Sequence, residues 1–435
     1  MNGIEYHVPL DIGLLPRTTV PVRGATLERL PRSLGTPRMF VDLSYTANCN
    51  LQTGVHRVAR NVAHWMGQLH GGAVQTVVAR GDRFIPQLSA QPARKQQSRR
   101  SSLRLLHYWS RWKVRLVNTA RVGNGDILVL PDAYWARPQV WPAVAAARRR
   151  GAYVCSIIYD VIPLQYPQLV AEGAPQSFRE YLQQVAAQSD QIVAISQTVR
   201  EQVRQAIGQL PLAEKPGCSF ADFELGSDAP RTAGQAVRSQ LTAAISSSGI
   251  DTPYLMVATF EPRKNHTYVL DAFERIWTAD PSRKLCLVGG VGWLSEGLLA
   301  RIQQHPRLGK QLFVFHGLND AEVQYCYRHA RAVLFASIAE GFGLPIIEAL
   351  SYGRHVFASD IPIHREVGGN ECTYCDLASS DDLADKLLAW DLAQPRQAPV
   401  CRVQRPPLSW QASVQQLLTR ILAEFQSRMG RFTET

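Results

Sequence analysis

The residues best suited to chemistry lie in SIAEGFGLPIIEAL (337–350), where Glu340 and Glu348 flank two glycines and a proline. AVLFAS (332–337) reads as a strand, SIAEGFGL as the loop at its carboxyl end, and PIIEALSYG as a helix with Pro345 at the first helical position. Glu340 then sits in the loop and Glu348 one turn into the helix, so the two carboxylates bracket a helix N-terminus. Backbone N–H groups from Gly343 to Ile346, backed by the positive end of the helix dipole, suit a phosphate. A carboxylate beside a phosphate is repelled by it; its natural partner is a sugar hydroxyl or a developing positive charge. TFEPRKNH (259–266) follows another strand and places Arg263 and Lys264 on the same carboxyl rim. A basic pair after a strand is most often merely solvated. Two fixed cations beside a helix N-terminus, however, make a diphosphate cradle.

Positioning these groups requires strands that end at one rim, and the chain supplies them. MFVDLSY (39–45), AVQTVVAR (73–80), DILVLPD (126–132), AYVCSIIYD (152–160) and SDQIVAIS (189–196) read as strands with helical patterns between them. The alternation fails near Gly208 and restarts at PYLMVATF (253–260), KLCLVGG (284–290), QLFVFHG (311–317), AVLFAS and HVFASD (355–360). Such alternation specifies an α/β protein of two doubly wound, Rossmann-like domains facing a cleft, with ligands at the carboxyl ends of the strands. The expected organisation is an N-terminal extension (1–38), a first Rossmann-like domain (39–207), a linker (208–251), a second Rossmann-like domain (252–400) and a C-terminal segment with an amphipathic helix (401–435).

Composition bounds the rest. With 435 residues, 46% hydrophobic and 19% charged, the chain is ordinary for a folded protein of two or three domains. It has no run of eighteen apolar residues, which excludes a membrane-spanning helix, and its first thirty residues lack the apolar core of a secretory signal. Among eight cysteines only Cys372 and Cys375 form a CxxC pair, with no second pair to complete a zinc site. ECTYCD reads as a buried strand end, and neither a disulfide nor a metal is expected. GGVGW (289–293) lacks the third glycine of a dinucleotide fingerprint, which rules out a dehydrogenase.

The net charge of +11 is uneven, and no acidic residue occurs from Arg83 to Gly125. Within 92–115 basic residues interleave with leucines, Trp109 and Trp112. Three readings stand: a solvated helix face, nucleic-acid binding, and an amphipathic helix on an anionic membrane surface. The membrane surface ranks first and nucleic acid last.

EPRKNH, LVGG, FHGLNDAEVQYCYRHARAVLFAS, EGFGLPIIEAL and ASDIPIHREVGG occur in an order and spacing that resemble the donor-binding domain of retaining glycosyltransferases of the GT-B fold, family four (group 1). The resemblance covers most of 253–390. TGVHRVARN (53–61), GDILVLPDAYW (125–135) and SIIYDVIPLQYP (156–167) resemble bacterial mannosyl- and rhamnosyltransferases of surface polysaccharide synthesis. The resemblance implies that Arg263 and Lys264, with Gly54 and the Gly343, Leu344 and Pro345 backbone, hold a donor diphosphate. It assigns Glu348 to the ribose hydroxyls and Glu340 to the donor sugar, as the group that positions it and stabilises developing charge. Tyr159, Asp160, Gly341 and Phe342 would lie near the reacting centre, and Phe315, His316 and Gly317 would flank the base. Many relatives carry histidine where this chain has Tyr159, which leaves two roles for that ring: a sugar contact, or an aromatic capping a strand end.

The implied activity is transfer of a hexose, best read as mannose or a related deoxyhexose from a GDP-sugar, with retention of anomeric configuration. The acceptor would be a glycan or lipid-linked glycan in bacterial polysaccharide or lipopolysaccharide synthesis. No cofactor is expected, and no DxD triplet is present to hold a metal. The expected location is cytoplasmic, with peripheral docking on the inner face of the cell membrane. The competing readings are a nucleotide-sugar epimerase or hydrolase of similar shape, and a non-enzymatic basic protein of the membrane surface. Donor turnover onto an acceptor separates them.

Overall fold

The apolar, β-branched runs become parallel strands buried on both faces, and the helices between them supply the cover. The computed structural model describes residues 36–48, 54–87, 119–211, 217–227, 236–245, 252–393 and 407–433. The first domain comprises β1 (Arg38–Asp42), α1 (Gly54–Leu69), β2 (Val74–Arg80), β3 (Arg83–Pro86), β4 (Asp126–Leu130), α2 (Trp141–Arg149), β5 (Tyr153–Ile158), α3 (Ile162–Gln165), α4 (Ala174–Gln188), β6 (Gln191–Ala194), α5 (Gln197–Gly208) and β7 (Ser219–Asp222). The second comprises α6 (Ser239–Ile245), β8 (Tyr254–Val257), α7 (His266–Ala279), β9 (Leu285–Val288), α8 (Glu296–Gln303), β10 (Leu312–Phe315), α9 (Asp320–His329), β11 (Val333–Phe335), α10 (Leu344–Ser351), β12 (Val356–Ser359), α11 (Pro362–Gly368), β13 (Cys372–Cys375) and α12 (Ser380–Ala393). Helix α13 (Trp410–Thr433) follows.

The first sheet has the order β3-β2-β1-β4-β5-β6-β7 and the second β10-β9-β8-β11-β12-β13. All pairings are parallel except β2 with β3. In each sheet the chain starts centrally, winds outward, then returns to wind the other way. Such a sheet opens a crevice at the point of reversal, between β1 and β4 in the first sheet and between β8 and β11 in the second.

Alternate residues of the first sheet feed two cores. Phe40, Leu128, Val154 and Ile192 meet α2, α4 and α5 on one face. Met39, Val129, Cys155 and Val193 meet α1 and Trp410, Val414, Leu417 and Ile421 of α13 on the other. The C-terminal helix therefore completes the first domain. The stretch 208–251, expected as a linker, contributes β7 to the first sheet and α6 to the second domain's core. Arg83–Pro86 was not expected as a strand, and Cys372–Cys375 form a full edge strand rather than a strand end.

Phe342 and Ile347 come from the second domain yet pack into the first domain's α1/α13 cluster. Across the same boundary, Glu366 of α11 accepts hydrogen bonds from the Gln197 and Thr198 amides at the start of α5 (2.7 and 2.8 Å). Trp293 Nε1 donates to the Leu169 carbonyl at 3.1 Å. Residues 1–35, the 92–115 basic stretch, Cys49 and Cys401 lie outside the described residues.

Candidate active site

The loop after β8 tightens into a 3-10 turn at Pro262–Lys264, and Asn265 takes a left-handed conformation (φ 58°) to start α7. The turn aims Arg263 and Lys264 at the loop after β11, on the two sides of the reversal point. Arg263 Nη1 donates to Glu340 Oε2 at 2.7 Å and to the Ala339 carbonyl at 2.9 Å, and its Nη2 donates to Glu261 Oε1 at 2.7 Å. Lys264 Nζ donates to Glu340 Oε1 and lies 5.4 Å from the centre of the Phe335 ring. Burial pushes the Glu340 carboxyl up, but the Arg263 and Lys264 cations outweigh it and hold Glu340 well below the usual carboxylate range. Burial likewise lowers Lys264 despite its anionic partner. The expected rim is thus assembled, but both cations are engaged by Glu340.

Asp160, at the end of β5, faces this group from the first domain. Its Oδ1 accepts the Ile162 amide at 3.0 Å, and burial raises its pKa against the pull of Arg263. The two domains touch where Gly341 lies against Tyr159. A β-carbon at Gly341 would stand 2.0 Å from the Tyr159 carbonyl oxygen. Ser196 Oγ, which caps α5 by accepting the Val199 amide, also donates to the Gly341 carbonyl at 3.2 Å.

Helix α10 begins at Leu344, one residue before the expected start, with Gly343 at φ 109° as its N-cap. That left-handed backbone favours glycine. Glu348 sits on α10 as expected, with both oxygens engaged. Tyr327 donates to Oε2 at 3.0 Å, and Arg57 of α1 pairs with Oε1 from the other domain. The reading of the sequence missed Arg57. Its signal was a cation in the first turn of a helix, where the dipole disfavours positive charge. Gly54 opens α1, and a β-carbon there would meet Leu344 Cδ1 at 3.7 Å, an ordinary contact. Packing within the chain does not require glycine at that position.

Two side chains expected beside the sugar are committed elsewhere. The Tyr159 hydroxyl donates to the Pro131 carbonyl, which favours the strand-end role over a sugar contact. The Phe342 ring is 4% exposed within the core. Phe315 ends β10, and Gly317 turns the chain away at φ 61°. Between them His316 Nδ1 pairs with the Gly289 carbonyl at 2.6 Å, and its ring meets Phe260 edge-on at 5.1 Å. A cavity of about 610 Å³ opens beside Asp160, with Tyr45, His56, Trp135, Arg263 and Trp293 in its walls.

The loop after β1 forms part of that wall and is organised by two buried acids. Asp132 accepts from the Tyr45 and Thr46 amides (2.9 and 3.0 Å). Asp42 accepts from Ser44 Oγ (2.6 Å) and the Tyr134 hydroxyl (2.7 Å). Burial pushes Asp42 up to about 7 from its ordinary 3.8, opposed by these hydrogen bonds. Between those values the folded chain holds a proton that the unfolded chain has released, so this group's contribution to stability is lost as pH rises through that window. Asp42→Asn is expected to remove that slope. Melting temperatures of both proteins across the window test this, and equal slopes would refute it.

Two doubly wound domains meeting at their carboxyl-edge loops are the arrangement of the GT-B fold. Residues 246–397 match the family model described as glycosyl transferases group 1. It is 28% identical to the Escherichia coli serotype-specific mannosyltransferase WbdA over 362 residues, 82% of this chain and 43% of that protein. It is 32% identical to the Escherichia coli O-antigen chain mannosyltransferase B over 135 residues, 31% of this chain and 35% of that one. The chain thus spans less than half the length of these relatives. The sucrose-phosphate synthase of Thermosynechococcus elongatus shares the fold at a TM-score of 0.61 and 16% identity, over 90% of this chain and all (100%) of that one. Anabaena Alr3699/HepE in complex with UDP does so at 0.53 and 14%, over 92% of this chain and 100% of that one. Among the described residues no helix is long and apolar enough to cross a membrane.

Proposed function

We propose that the chain is a retaining hexosyltransferase that moves mannose or a related deoxyhexose from a GDP-sugar onto a glycan or lipid-linked glycan in bacterial surface polysaccharide synthesis. The observation that carries the reading is the buried Glu340–Arg263–Lys264 cluster at the reversal point of the second sheet, faced by Asp160 of the first. The named mannosyltransferase relatives support the sugar and the pathway class.

Breaking the anomeric carbon–phosphate bond leaves positive charge on the sugar and negative charge on the diphosphate. Arg263 and Lys264 turn from Glu340 to the phosphate oxygens and stabilise the leaving group, with the Gly343–Pro345 backbone alongside. Glu340, kept ionised, then faces the sugar and offsets its developing charge. Glu348 accepts the ribose hydroxyls, and His316 lies beside the base. The acceptor occupies the cavity by Asp160, Trp135 and Trp293 and attacks from the face that the diphosphate leaves, passing its proton to a phosphate oxygen. No cofactor or metal enters this scheme. The enzyme works in the cytoplasm at the inner face of the membrane, with the basic 92–115 segment on anionic lipid.

Thermal stabilisation by GDP, UDP, ADP and dTDP tests the reading, because a ligand of the folded state raises the melting temperature by mass action. A shift with GDP that Glu348→Ala weakens is the expected result. A shift with UDP alone would replace the donor base, and no shift with any of the four would overturn the proposal.

A further inference from the structure

Glu348 is tied to the first domain before any ribose reaches it. Arg57 Nη1 pairs with Oε1, while the Tyr327 hydroxyl, from the same domain as Glu348, holds Oε2. The pair is half-buried, with side-chain exposures of 34% for Arg57 and 18% for Glu348. A ribose diol that binds this carboxylate competes with Arg57, not with the tyrosine behind it.

The setting of Arg57 gives its next partner. Helices α1 and α10 begin beside one another, since the β-position of Gly54 is 3.7 Å from Leu344 Cδ1. Neither has an acidic residue in its first turn. Two positive helix ends and a guanidinium therefore share one corner of the cleft, where Glu348 is the anion that pairs with the guanidinium. A guanidinium displaced from a carboxylate in such a field stays favoured only where another anion takes its place.

We propose that Arg57 is a donor-positioning residue that exchanges partners. As the ribose hydroxyls take Oε1 of Glu348, the guanidinium turns to the donor diphosphate. The inference rests on the donor reading above and adds to it a first-domain ligand. The diphosphate is then gripped from both domains, and donor binding is coupled to the closed arrangement. No bond is made or broken in the exchange.

The test compares the dissociation constants of GDP and guanosine for wild type, Arg57→Ala and Arg57→Lys, with UDP and uridine as a second pair. Removing a charge-assisted contact to phosphate is expected to weaken GDP by about tenfold or more. Guanosine, which has no phosphate to lose, is expected to bind as well or better, and lysine to retain part of the GDP affinity. Equal weakening of GDP and guanosine would make Arg57 a structural residue and overturn the proposal, as would an unchanged GDP affinity. If Arg57→Ala does not fold, Arg57→Gln is judged by the same ratio. A wild-type protein that binds neither nucleotide would refute the donor reading, and the exchange with it.

Discussion

Gly341→Ala is expected to weaken GDP binding by about tenfold, the share of the first-domain Arg57 contact, and to lower transfer by about a hundredfold or more, the scale of loss for a misplacement of about an ångström. The added methyl would stand 2.0 Å from the Tyr159 carbonyl oxygen and 3.3 Å from Asp160 Cβ. The first of these is backbone at the end of a buried strand and cannot swing aside. The domains must therefore separate, and Asp160, the Ser196 hydrogen bond and the cavity wall move away from Glu340 together. The groups assigned to the nucleotide lie mostly on the second domain, so the dissociation constant of GDP rises only by what the first-domain Arg57 contributes, about tenfold. Calorimetry and turnover on the same preparation check both halves of the expectation. An alanine variant that transfers at the wild-type rate would mean that this closed contact is not needed for the reaction.

Glu340→Gln is expected to cost both stability and rate. The amide keeps the volume but leaves Arg263 and Lys264 without the anion that compensates them, and breaking a buried ion pair from one side costs about 3–5 kcal/mol. Lys264 offers a partial escape, because burial already lowers its pKa. Without Glu340 that pKa falls further, so the folded chain binds fewer protons than the unfolded one over a wider window below 10.5. The variant's deficit is therefore expected to shrink as pH rises towards that value. Transfer falls by about 10²–10³, as for removal of a preorganised electrostatic group. Urea unfolding at neutral and alkaline pH, with rates alongside, measures each part. A variant as stable as wild type at neutral pH would show that the cations do not depend on Glu340.

The sheets were legible because their central strands are mostly apolar runs: DILVL and YVCSII are buried at every position. Strand β7 was not, because SFAD is short, half-buried and defined mainly by pairing with β6. Helix α13 announced an apolar face, but amphipathic spacing predicts that a face is buried and not which sheet buries it. At the site, strand ends and loop chemistry brought Arg263, Lys264 and Glu340 to one rim, as the reversal of a doubly wound sheet requires. Partner choice was hidden. Arg57 and Glu348 are 291 positions apart in sequence, and nothing local to either names the other. The Tyr159 hydroxyl was hidden in the same way, since its acceptor at Pro131 depends on how two loops settle at adjacent strand ends.

Helix α13 also bears on how the chain acquires its shape during synthesis. Trp410, Val414, Leu417 and Ile421 cover one face of a sheet whose last strand ends at Asp222. The whole second domain lies between them in the sequence. As the chain leaves the ribosome from its amino end, the domain made first is therefore the domain finished last. It waits with an apolar face uncovered while the second domain folds, an interval in which a chaperone can bind and aggregation competes.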